Sequence, residues 1–177
     1  MAEKLGDKLK VLFTAEHIKA RVNELGATLT RDYQGKDLLV IGILKGSFVF
    51  LADLVRGIDL PLQVDFLGLS SYGNNTETSG VVKITNDLST PVEGKHLLIV
   101  EDIVDTGLTM AYLLEFLKTR HPASVRICTL LEKPENARTK IEVAYKGFVI
   151  PNQFVVGYGL DAAGIYRNLP YIGVVEK

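Results

Sequence analysis

Apolar positions along this chain fall into short continuous runs that alternate with helically spaced stripes. Ile18, Val22, Leu25 and Leu29 recur at helical spacing behind Thr14, a residue able to cap a helix, and the stripe ends near Tyr33-Gln34-Gly35. Leu38-Leu39-Val40-Ile41-Gly42-Ile43 is apolar enough to be buried on both faces, which predicts a central parallel strand. Behind Lys45-Gly46-Ser47, the residues Phe48, Leu51, Ala52 and Val55 keep helical spacing until Gly57 and Pro61 break it. Val64, Phe66 and Leu69 suggest another strand with imperfect alternation, and Val81, Val82 and Ile84 lead to a turn near 91–94. Residues 97–100 predict a second buried strand, Met110, Leu113, Leu114 and Leu117 one face of a helix, and 125–131 a third buried strand. Shorter mixed elements follow at 141–144, 154–158 and 171–175. Strands alternating with helices indicate an α/β fold with a mainly parallel, twisted sheet flanked by helices. The irregular tail is expected to fold with part of the N-terminus as a small cap over the strand ends, and the charged residues 1–10 to be loose.

Residues 71–80, Ser-Tyr-Gly-Asn-Asn-Thr-Glu-Thr-Ser-Gly, form the one long polar, turn-rich stretch. It is too short for a domain linker and has the composition of a lid. With no repeat or boundary elsewhere, the 177 residues are expected to form a single domain, 1–177. A content of 47% hydrophobic and 23% charged residues is ordinary globular usage and argues against disorder. Twenty basic and 21 acidic side chains leave a net charge of −1, which makes no global case for a nucleic-acid partner. Cys128, the only cysteine, excludes an intrachain disulfide and lies in an apolar run, so it reads as a small buried hydrophobe. The start of the chain leads into no signal-type apolar region, and the longest apolar-plus-glycine run, 38–44, is far short of a membrane span. No membrane partner and a cytoplasmic location are therefore expected.

The chemistry concentrates at 97–110, Leu-Leu-Ile-Val-Glu-Asp-Ile-Val-Asp-Thr-Gly-Leu-Thr-Met. A buried strand, an acidic loop carrying Glu101, Asp102 and Asp105, a small hydroxylated turn and a helix follow one another. Open α/β sheets bind ligands beyond the carboxyl ends of their strands, and a helix N-terminus there offers free N–H groups to a phosphate. Carboxylates beside a phosphate repel it unless they hold sugar hydroxyls, a metal ion or a proton in transit. Read singly, the acids are a solvated strand end and Thr106 an N-cap.

This stretch closely resembles the ribose-phosphate motif of the type I phosphoribosyltransferases. Four further segments are similar to those of the hypoxanthine-guanine phosphoribosyltransferases: Leu44-Lys45-Gly46, Ser71-Tyr72-Gly73, Leu131-Glu132-Lys133-Pro134, and residues 154–161 together with Arg167. The resemblance runs from about Lys8 to the C-terminus. It implies purine salvage: Mg²⁺-dependent transfer of a 5-phosphoribosyl group from 5-phosphoribosyl 1-pyrophosphate to N9 of a 6-oxopurine (hypoxanthine or guanine), giving IMP or GMP and pyrophosphate.

The same resemblance implies residue roles. Glu101 and Asp102 would hold the ribose hydroxyls, directly or through metal-bound water, and would also serve the metal. Asp105 would take the N7 proton of the purine as general base, a role with a physical basis in reach and charge. Thr106, Gly107, Leu108 and Thr109 would wrap the 5′-phosphate; the family often has a basic residue where this chain has Leu108. Lys45 and Gly46 would bind pyrophosphate; family precedent suggests a cis Leu44-Lys45 peptide, which nothing in the sequence itself shows. Asp161 would coordinate Mg²⁺, a hard cation suited to carboxylate oxygen. Arg167 would pair with pyrophosphate. Ser71 and Tyr72 would close over the reacting centre. Phe154 and Val155 would line the base, although a Phe before Val-Val is more often core. Lys133 would read the purine O6, since an ammonium only donates; otherwise it is a snorkelling surface lysine. His17, His96 and His121 are scattered and receive no catalytic role.

The alternatives are an enzyme preferring xanthine, adenine or a pyrimidine, and a regulator that senses the phosphoribosyl donor while binding nucleic acid. The family precedent makes a homodimer or homotetramer the expected assembly.

Overall fold

A computed structural model describes residues 9–71 and 82–175, with only the backbone of Ser71 described. Thr14 caps α1 (Ala15–Asp32) by accepting a hydrogen bond from the His17 N–H, and Ile18, Val22, Leu25 and Leu29 are its buried stripe. The chain continues through β2 (Leu38–Leu44), α2 (Phe48–Arg56), β3 (Gln63–Ser71), β4 (Val82–Asn86), β5 (His96–Val104), α3 (Leu108–Lys118), β6 (Ser124–Glu132) and β7 (Tyr145–Val149). These strands form one six-stranded sheet in the order β4-β3-β2-β5-β6-β7. All neighbours are parallel except the edge strand β4, which runs antiparallel to β3. A second sheet, β1-β9-β8, joins β1 (Leu9–Phe13) to β8 (Val155–Val156) and β9 (Ile172–Val175). The tail and the start of the chain thus fold together as expected.

The continuous apolar runs have a simple cause. In β2 and β5, Leu38, Val40, Leu98 and Val100 pack with α1 and α2, whereas Leu39, Ile41, Ile43, Leu97 and Ile99 pack with α3. Successive residues face opposite sides of a sheet, so a strand covered on both faces is apolar at every position. Each fully buried Leu or Ile contributes roughly 1.5–3 kcal/mol. Cys128 is buried in the same core.

Four local expectations are corrected. In α2 the buried residues are Phe50, Leu51 and Leu54, and Phe48 and Ala52 are exposed. In β3 the inward residues are Asp65 and Leu67, and Val64 and Phe66 face outward. Asp65 is satisfied there by the N–H groups of Phe66, Ser89 and Thr90. Residues 141–144 form no strand; the element begins at Tyr145, the first residue to pair with β6. Leu9 and Lys10, expected to be loose, pair with β9.

Candidate active site

The connection from β2 leads to β3 on one side of the sheet, and that from β5 leads to β6 on the other. Their carboxyl ends therefore splay where strand order reverses, the crevice in which α/β sheets take ligands. Pairing of β2 with β5 stops at Gly42 and Val100, while β5 stays paired with β6 as far as Val104. Glu101 and Asp102 consequently lie within the strand, at the opening of the crevice, and not in an acidic loop after it.

The two carboxylates differ sharply. The Glu101 Oε2 is enclosed and has no hydrogen-bond partner among the described residues. Burial, and then the neighbouring Asp102 charge, hold the Glu101 carboxyl well above the usual carboxylate range. Asp102 is buried; its Oδ1 accepts from the Ile103 N–H at 2.9 Å. A Cβ at position 46 would overlap the Asp102 carboxylate, and one at position 159 would overlap the Gly46 carbonyl. Glycine at both positions lets three distant segments stack at one point.

Beyond the strand, Gly107 turns the chain with φ 79° into α3, and its carbonyl accepts from the Ala111 N–H at 2.9 Å. Thr106 is not the helix cap: Gly107 holds that position, and the Thr106 Oγ1 accepts weakly from the Leu108 N–H at 3.5 Å. The Thr106 carbonyl accepts from the N–H groups of Arg138 and Thr139, so residues 138–139 back the turn. A cavity of about 200 Å³ is lined by Glu101, Asp105, Thr106, Gly107 and Thr109. The first N–H groups of α3 stand free of helical partners there and favour an anion.

Asp105 meets Lys133 across the end of β5. The Lys133 Nζ lies 3.8 Å from Asp105 Oδ2, outside hydrogen-bond range, and the Lys133 N–H donates to the Val104 carbonyl at 2.9 Å. Lys133 is only 7% exposed, which corrects the reading of a snorkelling surface lysine. The other Asp105 oxygen accepts from the Asn136 amide at 2.8 Å, and the same amide nitrogen donates to Asn152 Oδ1 at 2.9 Å. Sequence reasoning missed Asn136 and Asn152. Their partners lie 31 and 16 residues away, and no local pattern encodes such contacts.

Lys45 is exposed, and the Leu44-Lys45 peptide is cis. Arg167 Nη2 pairs with Asp161 Oδ1 at 2.6 Å, and its Nη1 donates to the Gly159 carbonyl. Asp161 Oδ2 accepts from the Gly164 N–H at 2.7 Å. Phe154 is 57% exposed, so it is not core, and Val155 beside it is buried. Tyr72 and the rest of the predicted lid lie outside the described residues. A larger cavity, about 720 Å³, lies against the amino-terminal ends of β6 and β7, lined in part by Asp32, Lys118, Arg126 and Tyr145, and holds none of the expected site residues.

No group of three or more potential metal ligands occurs among the described residues. Mg²⁺ needs no such cluster, since it binds through one or two carboxylates and completes its shell with water and substrate phosphate. Glu101, whose Oε2 is unpartnered among the described residues, and its neighbour Asp102 are a carboxylate pair that would suit such an ion.

The whole chain is similar to known proteins. Residues 10–163 match the phosphoribosyl transferase domain family. The chain is 51% identical to a hypoxanthine-guanine phosphoribosyltransferase of Mycobacterium avium, covering 97% of this chain and 87% of that one. It is 53% identical to the Bacillus subtilis enzyme of the same name, covering 94% and 93%. A crystal structure of a Staphylococcus aureus hypoxanthine phosphoribosyltransferase superposes with a TM-score of 0.95 at 48% identity, covering 99% and 96% of the two chains.

Proposed function

Because this chain belongs to the hypoxanthine-guanine phosphoribosyltransferases, enzymes of purine salvage by phosphoribosyl transfer, we propose that the crevice around Asp105 is where the transfer occurs. The substrates are 5-phosphoribosyl 1-pyrophosphate and a 6-oxopurine, hypoxanthine or guanine, and the products are IMP or GMP and pyrophosphate. The observation that carries this reading is the pairing of Asp105 with a buried Lys133 at 3.8 Å, beside the turn 106–109.

Thr106, Gly107, Leu108 and Thr109 bind the 5′-phosphate through backbone N–H groups and hydroxyls, so the leucine at 108 removes a charge without removing the cradle. Glu101 and Asp102 hold the ribose hydroxyls. N9 of the purine attacks the anomeric carbon as the bond to pyrophosphate breaks, and Asp105 takes the N7 proton. Lys133 donates to O6, with Phe154 and Val155 beside the ring. Lys45, Gly46 and Arg167 take the pyrophosphate, Arg167 being held by Asp161 and the Gly159 carbonyl. Asp161, and Glu101 with Asp102, would hold Mg²⁺, which when bound would neutralise charge on the leaving pyrophosphate.

We place the activity in a single domain, 1–177, in the cytoplasm; no helix of the described residues is long and apolar enough to cross a membrane. The exposed Phe48, Val64 and Phe66 favour burial against a second copy, as a homodimer or homotetramer, which light scattering would detect. Steady-state assays with hypoxanthine, guanine, xanthine, adenine and uracil test the substrate assignment. Hypoxanthine and guanine should show the highest kcat/KM, and a preference for xanthine or adenine would overturn it.

A further inference from the structure

We infer that Asn136, hydrogen-bonded at once to Asp105 and Asn152, is a positioning residue that fixes the Asp105 carboxylate for proton transfer and ties it to the loop carrying Phe154. The inference rests on the reading of Asp105 as the general base. A base must be aimed before its proton affinity matters, and a carboxylate at the end of a strand can rotate freely unless held. Lys133, at 3.8 Å, is outside hydrogen-bond range and gives attraction without direction. Among the described residues the one side-chain hydrogen bond to Asp105 is that from Asn136, at 2.8 Å.

The chemistry of the amide suits this task. A carboxylate only accepts, so the Asn136 nitrogen and not its oxygen must face Asp105. The second hydrogen of that nitrogen goes to Asn152 Oδ1, which locks the amide against flipping. An amide also carries no charge, so it orients the carboxylate without neutralising it. The turn that carries Asn136 does not need this side chain. Its own backbone bonds, Asn136 N–H to the Lys133 carbonyl and Ala137 N–H to the Pro134 carbonyl, are complete without it. The side chain instead joins loops that follow β5, β6 and β7, and Asn152 stands two residues before Phe154. One amide thereby couples the proton acceptor to the segment that lines the purine.

The test is a double-mutant cycle read by single-turnover rate, so that product release does not mask the chemical step. Asn136→Ala should lower that rate by about tenfold or more, with donor KM and Tm near wild type. Asn136→Asp, the same shape without the donor, should be slowed as well and serves if the alanine variant folds poorly. In an Asp105→Asn background, Asn136→Ala should cause no further loss. Full additivity of the two losses, or a normal rate in Asn136→Ala, would overturn the inference while leaving Asp105 as the base. A normal rate in Asp105→Asn alone would remove the base reading itself, and the inference with it.

Discussion

At the scale of single residues, identity was legible and pairing was not. Asp105 could be singled out because an acid directly before a Thr-Gly-x-Thr turn needs a chemical reason, yet nothing local shows that Asn136 holds it. Asp105→Asn should lower kcat by roughly 10²–10⁴-fold with donor binding retained, the usual span for a lost general base. Near-normal kcat across pH would take Asp105 out of proton transfer. Lys133 was ambiguous in sequence between a base reader and a surface cation; a residue only 7% exposed beside Asp105 favours the first. Lys133→Met should lose about 1.5–3 kcal/mol in kcat/KM for hypoxanthine, the value of a hydrogen bond to a charged group, and much less for adenine. Unchanged hypoxanthine kinetics would remove Lys133 from base recognition.

At the scale of elements, periodicity located α1, β2, α3 and β6 because each buries a face that only apolar residues tolerate. It failed where burial comes from a neighbour the pattern cannot see. Glu101 and Asp102 read as a loop because acids rarely sit inside a strand; pairing with β6 alone carries β5 past them. The outward Val64 and Phe66 reversed the apparent inner face of β3, since Asp65 is inward and satisfied by N–H groups from residues 89 and 90. The contact of Gly159 with the loop after β2 was equally hidden. Gly159 has φ 101°, and a methyl group there would strike the Gly46 carbonyl. Gly159→Ala should therefore cost at least about 1 kcal/mol of stability, the lower end for strained backbone positions. Denaturant unfolding measures this, and an unchanged midpoint would show that the two segments separate freely.

At the scale of the whole molecule, the sheet decides which residues are shielded and which are presented. Burial pushes the Cys128 thiol well above its ordinary range, so it stays protonated and enclosed in the native state. A thiol reagent at pH 8 should label Cys128 only as the protein unfolds, in step with loss of far-ultraviolet circular dichroism; rapid labelling of the folded enzyme would show that the core opens locally. The same scale explains why size does not locate the chemistry. The cavity of about 720 Å³ at the amino-terminal strand ends is larger than the one of about 200 Å³ lined by Asp105 and the turn, but the latter lies at the carboxyl end of β5, one of the two strands between which the order reverses. By itself the sequence determined the α/β class, the buried strands, the helix stripes and the motif of acids, hydroxyls and glycine, because periodicity and residue chemistry are local properties of the chain. Tertiary structure alone decided that Lys133 is buried, that Asp105 is held by Asn136, and that Gly46, Asp102 and Gly159 meet. Those facts depend on which distant loops the sheet brings to one edge, and strand order is set by packing of the whole chain.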